Sequence, residues 1–317
     1  MAGFESTIKE IEAQQTDLLS FASELNSINI SQIDPGASIF VGAGDSLACA
    51  MFVERLSNLR PRSMDPYEIY NIPEIARGKD VHFISVSGRT KSNVEAASTI
   101  EGIARNTVAI TANPDSPLAL NCSKVLEIKF TKAPGITPGT NSFTTSLLPC
   151  CRLFNKIPEI SDLTGIFTRA KRWAESQSEN ADAVHFVSTG FLYPIAMYGS
   201  AKVFEFTGQR SDYQLTEEFS HLNLFCLRKE DLVVILRDGD KDLVATRLAH
   251  ELNHEGYCAQ VLEFKEPGMS SLEVAISGAI HMQYFALNMA LRNGLEQPAF
   301  LSNQNLLQIS NKMIYLG

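Results

Sequence analysis

The sequence lacks the features by which several broad classes of protein are recognised. It has no run of lysine or arginine, and its formal net charge of −9 suits neither nucleic acid nor an anionic membrane surface as a partner. No apolar run reaches the roughly 18 residues of a membrane span. Low-complexity tracts and a secretory signal peptide are also missing. We therefore expect a soluble, cytoplasmic protein.

Cysteine motifs for metal binding or redox chemistry are missing as well. The six cysteines form no CxxC pair and show no regular spacing. Most of them lie among apolar residues, where a thiol behaves as a small hydrophobic group. The pattern favours buried free thiols in a reducing compartment over a disulfide framework.

What the sequence does contain is an alternation of strand-like and helix-like segments. Short apolar segments rich in β-branched residues, such as residues 38–43 and 81–86, are each followed by a helical stretch. This alternation is typical of parallel strands with crossover helices. We predict an α/β protein in which each domain is a three-layer α/β/α sandwich around a mainly parallel sheet.

The alternation stops once and then starts again, which indicates two domains. It breaks near residues 155–165 and restarts at residues 183–190. With 317 residues the chain is long enough for two domains. We predict a first domain over residues 1–155, with an N-terminal helix, and a second over residues 156–317.

The restart looks like an internal repeat. The segment DVHFISVSG (80–88) aligns with DLVVILRDG (231–239) at a constant offset of 151 residues, although any two α/β segments can be aligned in this way. In the second copy Leu236 and Asp238 replace two serines of the first, and a carboxylate repels phosphate. We therefore expect only the first domain to bind a phosphate group.

The first copy carries a predicted phosphate-binding loop, FISVSGRT (83–90). Three hydroxyl residues and Gly88 stand where an apolar strand gives way to a helix. The first N–H groups of a helix have no intrahelical partner, and the helix dipole favours negative charge there. Hydroxyl groups add donors, and glycine lets the backbone approach the ligand closely. We predict that this loop binds a phosphorylated small molecule.

Three motifs resemble those of the double sugar-isomerase (SIS) domain family, which includes the isomerase domain of glucosamine-6-phosphate synthase and its stand-alone deaminase/isomerase relatives. They are VGAGDSLACA (41–50), SVSGRT (85–90) and FTT (143–145), and the resemblance covers about residues 38–303. It implies two SIS domains. It also implies a set of residues that bind the substrate and its phosphate: Gly44, Asp45, Ser46, Ser85, Val86, Ser87, Arg89 and Thr90.

The same family places a catalytic Glu and His 16 residues apart, and this chain has Glu205 and His221 at that spacing. Aldose–ketose isomerisation moves a proton between C1 and C2 through an enediol or enolamine, and one carboxylate can carry it. An imidazole that titrates near neutral pH suits ring opening. Lys202, in a matching Lys-x-x-Glu motif, would lower the cost of developing negative charge. The resemblance implies a homodimer in which His221 reaches the site from the neighbouring subunit.

The chain departs from the family pattern at two notable positions. The family's tail lysine is replaced by Asn303 in EQPAFLSN (296–303), and Lys312 is a candidate substitute. Arg89 replaces an acidic residue of the phosphate loop. It either adds a bidentate phosphate contact or is a solvated side chain of the first helical turn.

Two further motifs suggest a metal or a dinucleotide. HELNH (250–254) matches the zinc-binding HExxH pattern, and GAGDSLA (42–48), with Asp65 after it, is a weak dinucleotide fingerprint. Apolar residues of the first motif form a separate stripe, no third zinc ligand is evident, and Asp65 stands in a turn-like context. We expect neither a metal nor an organic cofactor.

These expectations together predict a metal-independent phosphosugar isomerase or deaminase. We expect a hexose 6-phosphate substrate of the glucosamine 6-phosphate/fructose 6-phosphate type and no glutaminase activity, because no cysteine follows Met1. Glucose/mannose-6-phosphate isomerase and fructosamine-6-phosphate deglycase activities are alternatives. A non-catalytic phosphosugar-binding regulator is an alternative of another class.

Overall fold

A computed structural model describes residues 3–177, 181–237, 239, 243–264 and 266–315 of the chain. It divides into two compact units, each with its own parallel sheet. The first-sheet unit comprises Ile8–Gly135, Gly139–Glu159 and Asn303–Gly317. The second-sheet unit comprises Met1–Thr7, Ile136–Pro138 and Ile160–Ser302.

Nine strands alternate with helices in the described residues, as the sequence pattern predicts. The strands are β1 Ser38–Val41, β2 Arg62–Met64, β3 Asp80–Ile84, β4 Asn106–Thr111, β5 Lys124–Glu127, β6 Ala183–Ser188, β7 Arg210–Leu215, β8 Leu232–Arg237 and β9 Cys258–Glu263. The helices are α1 Phe4–Ser27, α2 Asp45–Leu56, α3 Pro66–Asn71, α4 Lys91–Thr99, α5 Pro117–Leu120, α6 Asn141–Arg152, α7 Leu163–Ser176, α8 Tyr193–Thr207, α9 Thr216–His221, α10 Leu243–His254, α11 Ser271–Arg292, α12 Ala299–Ser302 and α13 Gln304–Ile314.

The first sheet has the strand order β2-β1-β3-β4-β5, and every pairing is parallel. Val41 pairs with Phe83 at the carboxyl ends of β1 and β3. The turns that follow these two strands therefore leave the same edge of the sheet. Alternate residues of β3 face a buried cluster that includes Val81, Phe83 and Ala96 of α4.

The second sheet has the order β7-β6-β8-β9, which repeats the order of the first four strands of the first sheet. The aligned segments of the predicted repeat form β3 and β8, which occupy equivalent positions. Asp238, at the end of the second copy, lies outside the described residues. The predicted α/β class with parallel sheets flanked by helices is confirmed.

Helix α11 fills the core of the second-sheet unit. By length and by its mean hydropathy of 1.2 it could cross a membrane, but 89% of its apolar stretch is buried inside the protein. It packs against α7 and α8, and a capping box formed by Ser270 and Glu273 fixes its start. We interpret it as a core helix.

The division of the chain into domains 1–155 and 156–317 stays a prediction. The C-terminal segment, expected with the second domain, instead groups with the first sheet. Helix α13 packs on α4, and Tyr315 forms an isolated antiparallel bridge with Thr90. These contacts bring the end of the chain to the predicted phosphate-binding loop.

His82 and His281 are buried, and no carboxylate of the described residues is hydrogen-bonded to either ring. His82 is stacked on Phe40 at 4.7 Å between ring centroids, and neither of its ring nitrogens has a hydrogen-bond partner among the described residues. Burial lowers the pKa of His82 to about 4, and the nearby charge of Asp80 opposes this only in part. Burial also lowers the pKa of His281 to about 4, although its Nδ1 lies 2.7 Å from the Ser277 carbonyl oxygen.

The lowered pKa values of His82 and His281 predict that the folded protein loses stability in mild acid. The unfolded chain binds a proton on each histidine near pH 6.5, whereas the folded chain resists protonation down to about pH 4. The free energy of unfolding should therefore fall as the pH drops from about 6.5 to about 4. His82→Phe keeps the stacking on Phe40 and should remove about 3 kcal/mol of this loss.

Urea unfolding at a series of pH values between about 8 and 4 measures the effect. His250→Gln, on the exposed face of α10, serves as the control and should retain the full acid dependence. An unchanged acid dependence in His82→Phe would contradict the prediction.

Candidate active site

The predicted phosphate-binding loop joins β3 to α4 and is held in a tight turn. The Gly88 N–H donates to the Ser85 carbonyl at 3.0 Å, and the Arg89 N–H donates to Ser87 Oγ at 3.2 Å. Ser85 Oγ and Thr90 Oγ1 lie 3.2 Å apart and share a hydrogen bond. Thr90 is the N-cap residue of α4, yet its hydroxyl does not cap the helix. The first N–H groups of α4 therefore face this turn, as in anion-binding helix termini.

Neighbouring strands fix the loop, and Gly88 is required at its centre. The Val86 carbonyl accepts hydrogen bonds from the Ala112 N–H (3.0 Å) and from Thr111 Oγ1 (3.2 Å). Gly88 has a φ of +63°, and a Cβ at this position would lie 2.0 Å from Ser116 Oγ. No larger residue fits without moving the loop.

The turn after β1 contributes the second predicted group of binding residues. Gly44 has a φ of +57° and is the N-cap residue of α2, which begins with Asp45 and Ser46. This turn and the phosphate loop lie at the same sheet edge, because β1 and β3 are adjacent and parallel. The Asp45 carboxylate is packed against Gly139, where a Cβ would lie 2.5 Å from Oδ2. Asp45 thus contacts the loop that precedes α6.

The C-terminal segment supplies a neighbour that the sequence did not reveal. Tyr315 bridges to Thr90, the last residue of the phosphate loop. Asn303, at the position of the family's lysine, is the N-cap of α13, where its Oδ1 accepts from the Leu306 N–H at 3.1 Å. Lys312 is exposed on the last turn of α13. The side chain of Arg89 is exposed, and no ion pair of Arg89 occurs in the described part of the chain.

The predicted proton-transfer residues lie in the second-sheet unit, on α8. Lys202 is fully buried, and its Nζ lies 2.5 Å from Glu205 Oε2, while the Glu205 side chain is 35% exposed. The ammonium also lies 4.8 Å from the centre of the Tyr198 ring, whose hydroxyl accepts from Gln283 Nε2 at 3.0 Å. A buried ammonium needs a counter-charge. The structure therefore pairs a partly exposed carboxylate with a buried, fixed cation.

His221 stands on the surface of the chain at the end of α9. Its side chain is 70% exposed, and its Nε2 lies 3.2 Å from Glu217 Oε1, which is itself exposed. The neighbouring apolar side chains Leu222 and Phe225 are 61% and 85% exposed. Nothing in the described residues of the same unit encloses the imidazole.

The residues that suggested a metal or a dinucleotide have other surroundings. His250 and His254 lie on the exposed face of α10, and their Nδ1 atoms approach Glu251 and Glu255. Within the described residues no group of three or more His, Cys, Asp or Glu is placed to hold a metal. Asp65 directly follows β2, whereas the sequence indicated a turn-like context. A dinucleotide-binding acid would also stand at the end of a strand. The Asp65 carboxylate instead caps α3 in a capping box with Glu68.

Comparison with known proteins gives a structural match without a sequence match. No protein-family model and no curated protein matches the chain. A glucosamine-6-phosphate deaminase from Thermotoga maritima matches with a TM-score of 0.77 and 23% identity, covering 93% of this chain and 98% of its own. The C-terminal domain of glucosamine-fructose-6-phosphate aminotransferase from Francisella tularensis matches with a TM-score of 0.71 and 18% identity, covering 93% and 98%.

A third structure extends the comparison to another sugar. Tagatose-6-phosphate ketose/aldose isomerase from Escherichia coli matches with a TM-score of 0.66 and 16% identity, covering 90% of this chain and 89% of its own. The chain has the fold of these three proteins. The match spans nearly all of each chain, so both sheets take part in it.

The close packing around Gly88 predicts that a methyl group added at this position will disturb the loop. Gly88→Ala places Cβ 2.0 Å from Ser116 Oγ, so the loop must move, and affinity for phosphate ligands should fall at least about tenfold. Gly78→Ala is a matched control, because Gly78 has a similar φ of +68° with no atom within 4 Å of the added Cβ. Gly78→Ala should lower the free energy of unfolding by only about 1 kcal/mol, because a residue with a Cβ is strained at a positive φ.

Calorimetric titration with fructose 6-phosphate and urea unfolding measure the two effects. Gly88→Ala should lose binding and be less stable than Gly78→Ala. Equal behaviour of the two variants in both measurements would show that the loop does not need glycine.

Proposed function

We propose that the chain is a phosphosugar isomerase or deaminase built from two SIS domains. Its preferred substrate is a hexose 6-phosphate of the glucosamine 6-phosphate/fructose 6-phosphate type. The observation that carries the proposal is the pairing of the partly exposed Glu205 carboxylate with the buried Lys202 ammonium. The fold shared with a deaminase and an isomerase of phosphosugars supports it, as does the glycine-dependent loop at the start of α4.

In this proposal each group has one chemical task. The loop of residues 85–90 and the turn of residues 44–46 bind the phosphate and orient the sugar through hydroxyl and backbone N–H donors. Glu205 removes the proton from C2 and returns it to C1, or the reverse, on one face of the enediol or enolamine. Lys202 stabilises negative charge that develops beside the carboxylate. His221 transfers the proton that opens the sugar ring.

We further propose a homodimer in which His221 acts in the partner subunit's site. An imidazole that is 70% exposed has no dry, fixed environment within its own unit. The adjacent Leu222 and Phe225 are apolar side chains at the surface, which a protein interface would bury. A cytoplasmic location and independence of metal ions remain predictions that accompany this proposal.

The proposal predicts turnover that depends on Glu205. Incubation with glucosamine 6-phosphate should release ammonia and fructose 6-phosphate, with glucose 6-phosphate, mannose 6-phosphate and a fructosamine 6-phosphate assayed in parallel. Glu205→Gln should lower kcat by about 100-fold or more, since it removes the proposed base. Glu251→Gln, an exposed carboxylate on α10, is the matched control and should retain full kcat.

Urea unfolding of Glu205→Gln at the assay temperature separates lost chemistry from lost folding, because the variant replaces the carboxylate that pairs with the buried Lys202 by a neutral amide. Full turnover by Glu205→Gln on an active substrate would refute the assignment of the base. Tight binding of a hexose phosphate without turnover of any substrate would favour the non-catalytic regulator.

The dimer proposal predicts complementation between two inactive variants. Mixing Glu205→Gln with His221→Gln under conditions of subunit exchange forms heterodimers in which one site has both wild-type groups. If His221 acts across the interface, an equal mixture should recover about a quarter of wild-type activity. Each variant alone supplies the baseline, and recovery no greater than their average would place His221 in its own subunit's site.

A further inference from the structure

The segment of residues 216–228 carries His221 and joins β7 to β8. It contains α9 and a short 3-10 helix, Asn223–Cys226. Two carboxylates that flank this segment in the chain, Asp212 and Asp231, approach one side chain, His185 of β6. His185 Nδ1 lies 2.9 Å from Asp212 Oδ2, and Nε2 lies 3.5 Å from Asp231 Oδ2. Asp212 is the neighbour of His185 across the parallel pair β6–β7, and Asp231 stands directly before β8.

Each carboxylate also holds one part of the segment. Asp212 Oδ2 accepts a hydrogen bond from Asn223 Nδ2 at 3.3 Å, and Asp231 Oδ2 accepts from the Arg228 N–H at 2.8 Å. Phe219 of α9 is fully buried, with its ring centre 6.3 Å from that of His185. The imidazole of His185 thus reaches Asn223 and Arg228 through the two carboxylates, and its ring lies next to Phe219.

His185 Nδ1 is hydrogen-bonded to Asp212, whereas the 3.5 Å contact of Nε2 with Asp231 is an ion pair without hydrogen-bond geometry, so the attraction to Asp231 depends on the charge of His185. Burial by itself would lower the pKa of His185, but the hydrogen bond to Asp212 and the charges of Asp212 and Asp231 outweigh it, so its pKa is raised. An imidazolium donates from both nitrogens, whereas a neutral ring donates from one. His185, Asp212 and Asp231 line a cavity of about 450 Å³. Its other charged or titratable lining residues are Asp182, Arg210, Cys226 and Arg228.

We propose that His185 is a positioning residue, which as an imidazolium binds Asp212 and Asp231 and thereby fixes the segment that carries His221. The task of His221 rests on the proposed function, whereas the restraint on residues 216–228 does not. Loss of the proton removes the attraction between Nε2 and Asp231, so the restraint on the end of the segment next to Arg228 weakens, although the Arg228 N–H still donates to Asp231. His185 touches no substrate in this scheme and acts through the placement of His221.

Hydrogen–deuterium exchange of the wild-type chain tests the restraint directly. A histidine whose pKa is raised by folding contributes its interaction fully below about pH 6.5, and the interaction is lost as the pH rises through the higher folded-state value. After correction for the intrinsic rate, exchange in residues 216–228 should increase over that window. Exchange in α10 should not, and it serves as the internal reference.

His185→Gln should raise exchange in residues 216–228 at every pH and abolish the pH step. If the proposed function holds, kcat should fall about tenfold to 100-fold while KM stays close to wild type, because the phosphate-binding loop is unchanged. His250→Gln, an exposed histidine on α10, is the matched control and should change neither measurement.

Asp212→Asn is the second variant if His185→Gln does not fold, and it should show the same faster exchange in the segment. Exchange in the wild type without a pH step, or wild-type exchange in both variants, would overturn the proposal. If no phosphosugar is turned over, the proposed function fails, and the exchange results alone still decide whether His185 restrains the segment.

Discussion

The parallel pairing of β1 with β3 is the constraint on which the predicted binding region depends. Parallel neighbours end at the same edge of a sheet, so the chain must leave that edge twice and return through a helix each time. Two helix starts, α2 and α4, are therefore brought side by side. A phosphate needs several donors from different segments, and the proposed site would draw them from these two helix starts without a strongly positive surface. That is consistent with a chain of net charge −9.

The sequence alone predicts those parts of the structure that are determined by residues close together in the chain. Strand and helix alternation, the glycine of the phosphate loop and the Lys-x-x-Glu spacing on α8 are all local patterns, and the structure has the corresponding elements. The parallel class follows from the same alternation. Local patterns predict local geometry because backbone hydrogen bonds and side-chain periodicity act over a few residues.

Contacts between distant residues could not be predicted in this way. His185 meets Asp212 and Asp231 only because β6 lies between β7 and β8. The approach of Tyr315 to Thr90 depends on where the last helix packs. Asp65 and Asn303 each cap a helix, which the sequence analysis did not predict, because capping is a task that many polar residues perform without leaving a distinctive motif.

Three histidines show how charged partners, together with the degree of burial, set the charge inside this fold. Among the described residues no carboxylate is hydrogen-bonded to the ring of His82 or His281, and burial lowers the pKa of each to about 4. His185 is also mostly buried, yet two carboxylates raise its pKa. The buried Lys202 follows the same rule, since its charge is matched by Glu205. A carboxylate held next to a buried lysine keeps a fixed position, which a base must have if it is to return a proton to the adjacent carbon.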